Sequence, residues 1–275
     1  MRLASAIRPA TDRELPLVVE VLRRAGFGTQ VARLLEYPRG SPAGAILVAE
    51  EPPGVVGVAC CAAFAMTGWI GALGVVPEAR RQGLGTALTE AAIRWLRARG
   101  AGTVLLYATD AGRPVYERLG FVAEGRAIAW RGVSAAAPPL AVRRLGNADR
   151  DVVRDLDRRV TGERRDVMLD AIVPLAGVLA PGGTEGLLGW AIASPWGAGT
   201  AIAALTPEAG VGLMAAATCG PGPGTLIVPE ANLPAIDALH AWRFVRLNDA
   251  VRMRLGGAVG WRAEEQFGLF NLFWG

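Results

Sequence analysis

Residues 69–100 read WIGALGVVPEARRQGLGTALTEAAIRWLRARG. The run Trp69–Val76 is apolar or glycine and fits a buried strand, and Pro77 stops it because proline brings no N–H to a ladder. Leu84, Leu88, Ala91, Trp95 and Leu96 then recur at helical spacing, and Gly100 closes the helix. Between strand and helix stand Arg80, Arg81, Gln82, Gly83, Leu84, Gly85 and Thr86. The first turn of a helix carries N–H groups without intrahelical partners and the positive end of the helix dipole. Gly83 and Gly85 let a phosphate reach the backbone with no Cβ in its way. The loop is thus a candidate anion site suited to a pyrophosphate, with Arg80 and Arg81 adding charge around it. The dinucleotide pattern G-x-G-x-x-G fails because Leu88 stands where its last glycine belongs, and the nucleoside-triphosphate loop needs a lysine, which the sequence lacks. Plain helix capping is the competing reading of the same glycines.

Upstream, residues 3–8 are strand-like. Thr11 and Asp12 offer an N-cap for a helix over 13–25, with Leu15, Val18, Val19 and Leu22 on one face. A second helix is expected over 29–36. Ala45–Glu50 and Val55–Phe64 read as a hairpin joined by EEPPG. Downstream, Thr103–Ala108 is a strand, and Thr109 or Asp110 caps a short helix ending at Gly120. The i,i+4 pair Val115 and Leu119 is expected to face the core, with Tyr116 about 100° round that helix. Phe121–Gly132 is expected to hold two short strands. SAAAPP at 134–139 reads as a linker.

The same order of elements then resumes: strand 140–145, helices 147–159 and 166–175, strands 184–193 and 200–205, helix 208–217, strand 224–228, helix 234–242 and strand 250–255. ALGVVPEARRQGLGTAL (72–88) aligns with AALTPEAGVGLMAAA (203–217), and YERLGFVAEGRAIAWRG (116–132) with LHAWRFVRLNDAVRMRLGG (239–257). The pairs occur in the same order, which points to a duplicated fold. Two unrelated α+β domains are the alternative. The second copy lacks the paired glycines and the arginines; Leu239 stands for Tyr116 and Arg243 for Gly120. The expected domains are 1–133, a linker at 134–139, and 140–275.

Arg80-x-x-Gly83-x-Gly85 after a strand ending in V-x-P resembles the CoA-binding motif of the GNAT acetyltransferases. DAGRPVYERLGF (110–121) resembles the family's later block ending in Tyr-x-x-x-Gly-Phe. The likeness is strong over 69–121 and weak beyond 140. It implies an α+β fold, a mixed and mostly antiparallel sheet flanked by helices, as two tandem GNAT-like units, the second degenerate. It implies acetyl-CoA as co-substrate, held by the loop amides from about Arg81 to Thr86 and by the main chain of Leu73, Gly74 and Val75. It further implies Tyr116 as the acid that protonates the departing thiolate, against the bland reading of a packing tyrosine. The family's usual glutamate on the strand before the loop is missing, since WIGALGV has no acid. Glu36, Glu50, Asp12 or a relayed water are the substitutes for a base, and each carboxylate has a solvated-surface reading. A main-chain N–H of 73–75 can hold the oxyanion. The expected acceptor is the amine of a small molecule or peptide. A non-catalytic acyl-CoA sensor is the alternative.

Composition fits this. The 275 residues are 52% hydrophobic and 20% charged, enough for packed cores. The net charge of +4 comes with arginines scattered among acids, so no stripe for nucleic acid is expected. Cys60, Cys61 and Cys219 are too few for a disulfide framework and point to a reducing compartment. One histidine, His240, with dispersed cysteines makes no metal site. No apolar run is long enough to span a membrane and no signal core opens the chain, so a cytoplasmic protein is expected. His240 reads as a packing or surface histidine, with a base as the alternative; Trp190, Trp196 and Phe270–Trp274 read as core or interface residues, with the lining of an acceptor pocket as the alternative.

Overall fold

The computed structural model describes residues 6–52, 54–134, 141–172, 178–181, 187–197 and 199–275. The linker expected at 134–139 falls almost wholly outside them, as do residues 3–5, 140, 173–175 and 184–186 of the expected elements.

The chain divides into two compact units. One comprises Met1–Val122, Met253–Gly257 and Trp274; the other comprises Ala123–Arg252, Ala258–Phe273 and Gly275. The units therefore interleave along the chain.

In the first unit β1 (Ala6–Pro9) leads through a 3-10 turn to α1 (Leu15–Ala25), α2 (Val31–Leu34) and α3 (Glu36–Gly40). Then come β2 (Gly44–Glu51), β3 (Gly54–Phe64), β4 (Thr67–Val75), α4 (Leu84–Arg97), β5 (Thr103–Ala108) and α5 (Arg113–Arg118). Strands β1 to β4 are antiparallel neighbours in order, and β5 joins β4 in parallel. The helix expected over 29–36 is thus two short helices. α1 and α4 are amphipathic, burying Val18, Val21 and Leu22 from one and Leu84, Leu88, Ala92 and Leu96 from the other. Packing of this kind, rather than propensity, holds helices of this length.

The second unit opens with β6 (Val122–Gly132), whose first residue belongs to the first unit, and then β7 (Arg143–Arg144). Next along the chain are α6 (Arg150–Thr161), α7 (Asp166–Ile172), β8 (Val178–Pro181), β9 (Leu187–Ala193) and β10 (Thr200–Ala204). α8 (Pro207–Thr218), β11 (Gly224–Pro229), α9 (Leu233–Ala241), β12 (Val245–Leu255) and β13 (Gln266–Gly268) complete it. β6 lies beside β11 and β12, while β7 to β10 and β13 form a five-stranded sheet in the order β13-β10-β9-β8-β7. The end of β12 from Met253 on belongs to the first unit, beside β5, where Thr103 Oγ1 donates to the Gly257 carbonyl at 2.8 Å. The core of the second unit gathers Ile128, Trp130, Ile202, Leu213, Leu226 and Phe267.

Residues 122–132 form one strand where the sequence suggests two. Gly125 is a strand residue whose missing side chain leaves room for the Trp261 ring, 3.1 Å from where a Cβ would stand.

The element order of β1–β6 recurs in β7–β12, with a third short helix extra in the first unit. Local devices recur too. Arg8 bonds the Glu14 carboxylate, which accepts from the Thr11 N–H at 2.8 Å; Arg143 bonds the Asp149 carboxylate, which accepts from the Gly146 N–H at 2.8 Å.

Candidate active site

The site starts where β4 and β5 part. Their parallel register runs from Thr67–Thr103 to Ile70–Leu106 and ends there. β4 continues against β3 on its other edge, with Gly74 opposite Val58 and Val75 opposite Gly57. A bulge displaces the register between Val58 and Cys60, and Ala72 there takes a left-handed φ of 44°. A bulge bends its strand and re-aims the residues beyond it. Among the described residues no strand registers with the β5-facing edge of Gly71–Val75. That edge presents main-chain N–H and C=O groups, the Val75 carbonyl apart, to whatever enters the wedge.

The loop beyond turns through Pro77–Ala79, and Arg81 and Gly83 take left-handed φ values of 60° and 84°. α4 begins at Leu84 with Gly83 as its N-cap, so no side chain caps it, and its first turn holds no acid. The helix ladder opens with the Ala87 N–H on the Gly83 carbonyl at 3.0 Å. The N–H groups of Leu84, Gly85 and Thr86 therefore lie ahead of the ladder, at the positive end of the dipole. A Cβ built on Gly83 or on Gly85 meets nothing within 4 Å. At Gly83 the backbone conformation accounts for glycine. At Gly85 neither conformation nor packing does, and glycine in a helix costs about 1 kcal/mol relative to alanine. Space kept clear in front of bare helix amides suits an anion.

The arginines divide their work. Arg80 donates from Nε to the Val75 carbonyl and from Nη2 to the Ala25 carbonyl, both at 3.0 Å. It pins the loop between the end of β4 and the end of α1. Arg81 is exposed, and Gln82 Nε2 donates to the Glu78 carbonyl at 3.1 Å. Arg24 pairs with Glu78 at the same corner.

Tyr116 lies in α5, which packs beside α4. The spacing predicts Val115 and Leu119 on the core side. Instead both are half-buried, and Tyr116 is the buried residue of the helix. Phe121, just beyond this six-residue helix, closes it: its N–H bonds the Tyr116 carbonyl at 3.0 Å and the two rings meet edge to face at 5.8 Å. Burial pushes the Tyr116 phenol up to about 12.

The sequence candidates for a base are engaged elsewhere or solvated. Asp12 pairs with Arg39 at 3.1 Å, Glu50 pairs with Arg8 at 2.9 Å, and Glu36 is exposed. Cys60 and Cys61 are buried and their thiols are pushed up by desolvation, so they are inert. A cavity that sequence reasoning missed is lined by Asp12, Leu15, Arg39, Trp95 and Arg99. Trp95 is eleven residues along α4 from Leu84, roughly 16 Å from the loop. Among the described residues no three His, Cys, Asp or Glu side chains gather as for a metal, and no helix is long and apolar enough to cross a membrane.

Residues 18–121 match the model of the Acetyltransferase (GNAT) family. This chain carries a GNAT-family domain. A mycothiol acetyltransferase from Rhodococcus erythropolis is 50% identical over 52 residues, which are 18% of this chain and 17% of that protein. A putative acetyltransferase from Pyrococcus horikoshii superimposes with a TM-score of 0.86 at 21% identity, over 100% of this chain and 97% of that one. A GCN5-related N-acetyltransferase from Sphaerobacter thermophilus gives 0.66 at 16% identity, over 93% and 98%. These likenesses establish the GNAT fold: a mixed, mostly antiparallel sheet flanked by helices. The matched residues of the GNAT model contain the open wedge, the glycine loop and Tyr116.

Proposed function

We propose that the chain transfers the acetyl group of acetyl-CoA to a primary amine at one site in the first unit. The observation that carries this reading is the conjunction of an open β4 edge with an uncapped, acid-free helix start and a vacant approach over Gly83 and Gly85. A pyrophosphate accepts from the amides between Arg81 and Thr86. The pantetheine arm, itself an extended amide chain, pairs with the main chain of Leu73–Val75.

In this reading the acceptor nitrogen attacks the thioester carbonyl carbon while a β4 amide stabilises the oxygen. The C–S bond breaks as the nitrogen–carbon bond forms, and the sulfur leaves with the bonding pair. Tyr116, kept neutral by burial at any working pH, meets the sulfur as a hydrogen-bond donor and passes it a proton. The phenolate is strongly basic and recovers the proton that the amine gives up, by way of solvent. The second unit is, on this proposal, a degenerate copy that lacks the loop, its Gly210 and Gly212 lying inside α8.

The test is CoA release in the presence of a broad panel of amines and peptides. Turnover with any of them supports transfer. Saturable acetyl-CoA binding without release from the whole panel would make the protein a sensor, a reading favoured by the absence of an acid from WIGALGV. No binding at all would sink both.

A further inference from the structure

The second unit has its own counterpart of the wedge, between β10 and β11, and the chain fills it. β13 pairs antiparallel with the edge of β10 that faces away from β9, with Gly268 opposite Ile202 and Gln266 opposite Ala203. The next residue reaches across to the other side: the Leu269 N–H bonds the Ile227 carbonyl of β11 at 2.9 Å. The Gly199 N–H bonds the Phe270 carbonyl at 2.9 Å. Phe267 lies against Gly210 in α8, where a Cβ on the glycine would strike the ring. Fully buried Asn232 holds this segment by donating from Nδ2 to the Gln266 carbonyl at 3.1 Å.

The helix start beside it is sealed as well. Thr206 caps α8, its Oγ1 accepting from the Ala209 N–H at 3.2 Å. Pro207 brings no N–H, and Glu208 puts a negative charge in the first turn. Every feature that readies α4 for an anion is reversed.

We propose that the 266–270 segment is a permanent internal occupant of the second wedge, taking the place that the pantetheine arm takes in the first, so that the protein binds one acyl-CoA per chain. The proposal rests on the acetyl-CoA reading of the first unit. It makes β13 a built-in ligand, which leaves the second unit folded whether or not acyl-CoA is present.

The test is amide exchange on the full chain with and without acetyl-CoA, beside a calorimetric titration. The expected result is one site per chain, with ligand-induced protection at 71–76 and 83–87 and none at 200–212. Protection at 200–212, or two sites per chain, would overturn the proposal. Loss of protection at 71–87 in the wild type would instead strike the reading of the first unit. The Asn232→Ala and Leu269→Pro variants then test the occupant without any ligand. Exchange at 200–204 and 225–228 is expected to rise roughly tenfold or more, as local opening would require, with 71–76 and 103–108 unchanged. Unchanged exchange at 200–204 and 225–228 would overturn the proposal independently of CoA. Should either variant fail to fold, the wild-type exchange and titration still decide.

Discussion

β4 and β10 occupy the same place in the two repeats of element order, yet one has an open edge and the other a closed one. The helices after them differ in the same sense. α4 starts on a bare glycine with no acid in its first turn, whereas α8 starts on a threonine cap, a proline and a glutamate. A protein relying only on its own contacts closes its strand edges and caps its helices, because unpaired backbone groups are costly once water is excluded. The second unit does this at β10 and α8. The first does neither at β4 and α4, which is where an external partner would complete them.

The sharpest way to break this comparison is at Gly83. Gly83→Val puts a β-branched side chain at φ 84° and in the loop's approach. Acetyl-CoA affinity is expected to fall roughly a hundredfold, a loss of about 2.8 kcal/mol, while the far-UV spectrum stays that of the wild type. Equal affinity in a calorimetric titration would show that the loop is not the anion site.

Tyr116 and Leu239 test the next level. Both are buried in the short helix that comes after the wedge, and both helices close alike. Phe121 N–H bonds the Tyr116 carbonyl at 3.0 Å and Phe244 N–H bonds the Leu239 carbonyl at 2.9 Å, with Gly120 and Arg243 both left-handed between them. Tyr116→Phe keeps the ring and removes the proton. It is expected to lower kcat by roughly a hundredfold with acetyl-CoA affinity nearly unchanged. Leu239→Ala is expected to cost about 2–5 kcal/mol of stability and leave kcat per folded molecule alone. If Tyr116→Phe turned over at the wild-type rate under saturating substrate, with chemistry limiting, Tyr116 would be a packing residue like its counterpart.

The loops give a smaller, opposed pair. Gly85→Ala is expected to raise the melting temperature, by up to about 1 kcal/mol of helix propensity, and to weaken acetyl-CoA binding. Thr206→Ala is expected to lower stability by about 1 kcal/mol and to leave binding unchanged. A Gly85→Ala protein that binds as well as wild type would leave that glycine without a reason.

Much of this is legible in the sequence, and the parts that are not have a common cause. The strand, loop and helix of 69–100 announce themselves by local signals: a proline stop, paired glycines and helical spacing. β13 does not. Gln266–Gly268 has no alternation to read and is a strand only because β10 and β11 accept it. The bulge at Ala72 is likewise set by its neighbours, since alanine gives no sign of a left-handed φ. Gly125 likewise carries no local sign that its role is to admit Trp261. Arg80 reads as charge for an anion, and its two carbonyl partners come from segments that sequence proximity does not connect. The general base stays unread at either level, because the candidate carboxylates are paired or solvated.

The smallest expected effect concerns what the two units share. Glu14 is held at about 2 chiefly by its hydrogen bonds from Arg8, and Asp149 at about 2 chiefly by those from Arg143. Unfolded carboxylates titrate near 4, so both groups have a lower pKa when folded. Their contribution to stability is complete above that unfolded value and is lost as pH falls from about 4 towards about 2. The ion pairs are partly exposed and solvent screens them, so each contribution is modest. Arg8→Gln and Arg143→Gln should each lower the melting temperature slightly at neutral pH, and the gap to wild type should shrink as the pH approaches 2. Thermal melts across that range check it. If the two units are repeats of one design, the two gaps should close over the same pH range, the one at Arg8 differing in size because that arginine also pairs with Glu50. A gap that stays constant with pH for one of them would mean that its arginine acts through packing, and the likeness of the two turns would then be one of shape alone.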